Sequence, residues 1–143
     1  MIPLQLLLYV SSASHPLSTT ELDALLAQSR NRNAQLGITG LLLYRDGNFM
    51  QAIEGPEESM RTVYASILRD PRHHDVISVI DMPVAARSFP DWAMGDINLD
   101  IPGRPQILGR SDGQPVPLDS LVDVCGAIVL LCSFCDQFGV GPI

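Results

Sequence analysis

The chain contains no lysine. All nine of its basic residues are arginine, set against 16 aspartates and glutamates, for a net charge of −7. That absence excludes a Schiff-base lysine and a P-loop lysine. An acidic chain with no basic stripe also argues against nucleic acid and anionic membrane surfaces as partners. Cysteine is scarce as well, and Cys125, Cys132 and Cys135 all fall in the tail. An odd count with no export signal fits a reducing cytoplasm. Cys132-x-x-Cys135 begins like a zinc site, but no second pair or nearby histidine completes it, so we read small apolar residues in a packed helix. Long hydrophobic runs are missing too. The longest, residues 124–135, is shorter than the about 20 residues a bilayer span needs. Residues 1–10 are apolar but lack the positive start of a signal peptide, so they read as a strand. No two histidines have ligand spacing on a helix, and no Ser-His-Asp or Cys-His arrangement suggests itself. On these grounds the chain is not expected to be an enzyme.

What is present is a core. Over 143 residues the hydrophobic fraction is 46% against 17% charged, which fits one folded domain. Residues 4–11 are apolar on both faces and read as a strand. Ser18-Thr19-Thr20-Glu21 is a capping-box pattern, so a helix should start there, with Leu22, Leu25, Leu26 and Ser29 inward, and end near Asn33 before Gly37. Residues 38–45 and 48–54 form a hairpin around Asp46-Gly47. Pro56-Glu57-Glu58 opens a second helix, which Asp70-Pro71 ends. Residues 76–82 make a fourth strand and residues 92–98 a weaker fifth, on which Trp92 and Met94 would share a face. Residues 99–117 are rich in proline and glycine and read as a linker; residues 118–143 read as an apolar helix and tail. The order β-α-β-β-α-β is the split, ferredoxin-like pattern of an α/β (α+β) domain. Two helices cover one sheet face. The apolar tail helix is the candidate to cover the other, in this subunit or a neighbouring one, so a homo-oligomer is expected.

Within that frame Gln51 stands out. It interrupts the apolar run Phe49-Met50-Gln51-Ala52-Ile53, where an unpartnered carboxamide costs about 1–3 kcal/mol. Tyr9 sits similarly in Leu6-Leu7-Leu8-Tyr9-Val10. Strand parity aims both toward the helices. Either they satisfy each other, as in a ligand-free interaction domain, or a ligand joins them. Asn31, Arg32 and Asn33 cluster at the end of the first helix. Asp70, Arg72, His73 and His74 cluster after the second. Gly37-Ile38-Thr39-Gly40 precedes a strand and is no phosphate loop. An acylphosphatase-like enzyme would need a phosphate-cradling arginine after the first strand, and residues 11–16 have none.

Taken in order, these stretches resemble the BLUF family of blue-light sensors that use flavin. The likeness covers residues 3–98 and rests on Leu8-Tyr9-Val10-Ser11, on Asn33-Ala34-Gln35-Leu36-Gly37-Ile38-Thr39-Gly40-Leu41-Leu42, on Phe49-Met50-Gln51-Ala52-Ile53-Glu54-Gly55, on Asp70-Pro71-Arg72-His73 and on Phe89-Pro90-Asp91-Trp92-Ala93-Met94. The resemblance implies a flavin-binding domain at 1–98, with FAD, or FMN or riboflavin in its place, between the two helices. It implies a photoactive chain from Tyr9 through Gln51 to the flavin. Asn33 would hold the pyrimidine edge and Arg32 would lie beside it. Ile38 would pack near the ring, and Asp70 and His73 would stand close by. Trp92 and Met94 would carry the signal to the tail helix and on to a protein effector in trans, with no effector domain in the chain. Two positions depart from the pattern: Ala93 stands where serine is common, and Ser66 where some relatives have an arginine.

Overall fold

The computed structural model describes residues 3–101, 106–121 and 126–137. The capping box closes as its sequence dictates. Ser18 Oγ accepts from the Glu21 amide and Glu21 Oε1 from the Ser18 amide, both at 3.1 Å, starting helix α1 (Thr19–Leu36). Gly37 stops it in the left-handed conformation, φ 70°, three residues later than the sequence suggests. Asp46 and Gly47 both take positive φ, which turns β2 (Thr39–Arg45) back onto β3 (Asn48–Pro56) without splaying the strands. Helix α2 (Glu57–Arg69) has Glu57 and Glu58 at its positive end and Arg69 at its negative end.

With β1 (Leu4–Ala13), β4 (His73–Val84) and β5 (Gly95–Asn98), these strands form one sheet in the order β4-β1-β3-β2-β5. The first four are antiparallel neighbours in ferredoxin-like order; β5 adds parallel to β2. Side-chain alternation then sorts the residues into two cores. Leu7, Tyr9, Phe49 and Ile53 meet Leu22 and Leu26 of α1 and Met60, Val63 and Ile67 of α2. On the opposite face Leu6, Leu8, Leu43 and Met50 meet helix α3 (Ala127–Gln137) through Ala127, Ile128, Leu131 and Phe134. The tail helix therefore covers the second face of its own subunit.

Three expectations need correction. Residues 99–117 are more than a linker: β6 (Gln106–Ile107) and β7 (Val116–Pro117) pair into a ribbon, Asp96 bridges to Leu108, and Ile107 is fully buried in the α3-side core. Among the described residues of this stretch, Gly109 and Gly113 take positive φ between the two paired segments, and residues 102–105 lie outside the described residues. The last helix does not begin at 118. Leu118–Ser120 is a 3-10 turn, and the described helix starts at Ala127. The fifth strand is only Gly95–Asn98, so Trp92 and Met94 precede it. Cys132 is half-buried on α3 and packs against the core; Cys135 lies on the same helix, and Cys125 is outside the described residues. Among the described residues no helix is long and apolar enough to cross a membrane.

Candidate functional site

The register sets Tyr9 directly opposite Gln51, with Leu42 on the other flank of Gln51. Opposed residues in antiparallel strands hold their Cβ atoms about 4.5–5.5 Å apart, so these side chains must meet. The Tyr9 hydroxyl donates to Gln51 Oε1, and Gln51 Nε2 donates to Met94 Sδ at 3.3 Å. Tyr9 is 3% and Gln51 5% exposed. The polar need of the carboxamide is met from two sides, by residues 42 and 43 positions away. Burial pushes the Tyr9 phenol well above its ordinary pKa, and the nearby positive charge of Arg32 works against that rise.

Both residues line a cleft beside α1 and the end of α2. Its walls include Leu25, Ser29, Arg32, Phe49 and Ile67, with Asp70, Arg72 and His73 beyond α2. The cleft holds about 470 Å³ of space between atoms, the open solvent at its mouth included. His73 presents its ring rather than a polar atom. Its Nδ1 accepts from the Ser11 hydroxyl at 2.8 Å, and its Nε2 donates to the Ile67 carbonyl at 2.6 Å. The ring meets Tyr9 and Phe49 edge-on. Asp70 is bound to Arg72, whose guanidinium holds the Asp70 carboxyl below its ordinary range. Arg32 is half-buried, and among the described contacts it gives one of its five N–H donors to Asn33 Oδ1, at 3.3 Å.

Asn33 and Ile38 are brought near but do not line the cleft. Asn33 is fully buried, and its Nδ2 donates to the Ala93 carbonyl at 2.7 Å. Residue 93 enters this contact through its backbone, so alanine there loses nothing in it. Ile38 is 1% exposed and packs beside Gly55, where any side chain would press on it.

Trp92 and Met94 do not share a face. Met94 lies in the helix-side core against Gln51; Trp92 lies in the α3-side core with Phe89 and Ile107. The chain is not extended between them, so the two-residue alternation of a strand does not apply. Both are buried, at 3% and 0% exposure. Trp92 Nε1 is buried with no partner among the described residues, while the Arg110 guanidinium lies 6.0 Å from the ring.

One buried group escaped the sequence reading. Glu54 is fully buried and accepts from the Ser88 and Phe89 amides at 2.7 Å and from the Thr39 hydroxyl at 2.8 Å. Arg87 donates to the same hydroxyl at 2.8 Å. The signal was available: alternation puts Glu54 on the face of Met50 and Ala52, where a carboxylate needs designated donors.

A family model described as "Sensors of blue-light using FAD" matches residues 4–95. The photoactivated adenylate cyclase subunit beta of Euglena longa is 44% identical over 89 residues, 62% of this chain and 10% of that protein. The chain thus spans about a tenth of the length of that curated relative. Among solved structures, BlrB, a BLUF protein in its dark state, superposes with a TM-score of 0.66 at 36% identity, covering 70% of this chain and 76% of that one. Klebsiella pneumoniae BlrP1 with FMN and cyclic diGMP gives 0.74 at 29% identity, covering 95% of this chain and 35% of that one. The fold, the buried Tyr9–Gln51 pair and these matches agree: the chain belongs to the BLUF family of blue-light sensors.

Proposed function

We propose that this chain is a blue-light sensor in which Tyr9 and Gln51 are the photoactive pair, and that it catalyses no reaction of its own. The observation that carries this is the buried Tyr9–Gln51 hydrogen bond on the wall of a cleft open to a ligand. The donor set fits a flavin. A carboxamide, a half-buried guanidinium and a tyrosine converge on a slot whose walls also carry the apolar side chains of Leu25, Leu42, Phe49 and Ile67, which suits a flat heteroaromatic ring with polar edges. We assign Gln51, Arg32 and Asn33 to its polar edge, Asn33 reaching it by exchanging its contact with Arg32. Ile38 supports the ring side, and Asp70 and His73 close the end beyond α2. When bound and excited by blue light, a flavin supplies a strong one-electron oxidant.

The chain's own part follows from burial. A neutral phenol loses an electron readily only if its proton leaves with it, and Gln51 Oε1 is the acceptor that Tyr9 faces. Gln51 would relay that proton, accepting at Oε1 while giving one up from Nε2 to the side of the electron acceptor, and on the reverse transfer would settle rotated or as a tautomer. Its Nε2–H then no longer points at Met94 as before. The changed bond is the output, a local event that biases a packed element. Trp92 and Met94, on opposite faces of the sheet, pass it toward α3. From there it reaches a protein effector in trans or a second copy of this chain, in the cytoplasm and without nucleic acid or membrane as partner. FAD is the flavin we assign, because the family description names it. FMN and riboflavin are the alternatives, since a similar structure is described with FMN; Ser66 on α2 offers a phosphate no charge.

The test is an absorption spectrum of the flavin-loaded chain before and after blue illumination. A reversible red shift is expected, abolished in Tyr9→Phe and Gln51→Leu while both keep flavin. A normal photocycle in either variant overturns the assignment of the pair. A preparation that takes up no flavin favours the ligand-free interaction domain. Mass spectrometry of the extracted cofactor identifies the flavin.

A further inference from the structure

Arg30 lies on α1 outside the cleft lining, and its guanidinium joins three pieces of chain. Its Nε donates to the Met94 carbonyl at 2.8 Å, and its Nη2 pairs with Asp96 Oδ1 at 2.8 Å. Asp96 exchanges backbone bonds with Leu108, N to O at 3.1 Å and O to N at 3.0 Å. The next residue, Gly109, has φ +85° and lies against the guanidinium; a Cβ there would overlap Nη2. The pair is sheltered, with Arg30 34% and Asp96 13% exposed.

The geometry points to Arg30 as the positioning residue that carries the state of the Gln51–Met94 bond into the junction of β5 with the segment leading to α3. This rests on the photosensor reading above. Met94 has two tethers, Gln51 on its sulfur and Arg30 on its carbonyl. Loss of the first lets residue 94 move; the second dictates where that movement goes. A guanidinium is a rigid planar fork, so a displacement felt at Nε is imposed on Nη2 and hence on Asp96. Asp96 passes it to Leu108 through two backbone bonds. The loop between β4 and β5 is held independently at its upstream end, by Glu54 on the Ser88 and Phe89 amides. That leaves the downstream end, at Met94 and Asp96, as the part that Arg30 governs.

The experiment is hydrogen exchange of the Asp96 and Leu108 amides in the full flavin-loaded chain, dark against lit. In the native chain, light should change exchange at both by about fivefold or more, the signature of a local opening. In Arg30→Met the red shift keeps its size, and the light–dark ratio at Leu108 falls below about twofold. A merely structural Arg30 would instead raise exchange equally in dark and light and leave the ratio intact, which overturns the inference. So does a native chain with a red shift but no change at Asp96 and Leu108. If Arg30→Met does not fold, Asp96→Leu keeps the Met94 bond and removes the acceptor of Nη2; a retained red shift with a lost ratio at Leu108 supports the inference, and an unchanged ratio overturns it. A native chain with no red shift at all sinks the photosensor reading itself, so the two failures stay distinct.

Discussion

Gln51 Nε2 faces Met94 Sδ across 3.3 Å, while the oxygen of the same carboxamide is engaged by Tyr9. The two sides are unequal. A phenol is a strong donor and a thioether a weak acceptor. Gln51 is therefore held firmly at its oxygen and loosely at its nitrogen, and the nitrogen side is the one that yields first.

Met94→Leu keeps the volume and removes the acceptor. The red shift should persist, because Tyr9 and Gln51 are untouched. The present orientation of Gln51 loses its weaker support, so recovery in the dark should slow by roughly two- to fivefold, as a weak hydrogen bond of about 0.5–1 kcal/mol supplies. Recovery timed by absorption decides; an unchanged rate would show that the sulfur contributes nothing.

Tyr9→Phe strands a buried carbonyl oxygen, and Gln51→Leu strands a buried hydroxyl. Each should lower stability in urea by about 1–3 kcal/mol. The double variant removes both groups, so it should cost less than the two losses added together by about 1 kcal/mol or more. Simple additivity would mean that the two side chains are not bonded.

Burial holds the Glu54 carboxyl above its ordinary 4.5, against the lowering by the Ser88, Phe89 and Thr39 donors. A carboxyl raised in the folded state binds its proton more tightly there than in the unfolded chain. Its stabilising effect is full below about 4.5 and is lost as pH rises through the folded value. Glu54→Gln should therefore flatten the fall in stability from pH 4.5 upward. Urea titrations across that range check this, and a slope equal to the native one would assign the dependence to another group.

Leu131 of α3 is fully buried against the second sheet face. Leu131→Ala should cost up to about 2–5 kcal/mol, or less if α3 simply undocks. Protection of the α3 amides should drop and binding of a hydrophobic dye should rise. The flavin red shift should survive, because the Tyr9–Gln51 core is on the other face. Loss of the shift would show that the two cores are not independent.

The local elements were legible because their causes are local. The Ser18–Glu21 capping box, the Asp46-Gly47 turn and the Asp70-Pro71 stop each lie within a few residues of the structure they set. Tyr9 and Gln51 were legible as well, since alternation fixes the face on which a strand residue points. The alternation argument failed at Trp92 and Met94, because the chain there is not extended. It also went unused at Glu54, where it would have worked. The ribbon at Gln106–Ile107 and Val116–Pro117 was hidden because two-residue strands carry no periodicity.

By itself, the sequence determined the β-α-β-β-α-β order, the exclusion of lysine chemistry and the two polar side chains aimed into one core, since all of these follow from residue type and short-range spacing. Only the tertiary structure decided which partners complete them. Met94 on Gln51, Ala93 on Asn33, Ser88 and Phe89 on Glu54, and Arg30 across Met94 and Asp96 join residues 34 to 66 positions apart. Such contacts depend on how the loop before β5 crosses the sheet, and no local propensity encodes that path.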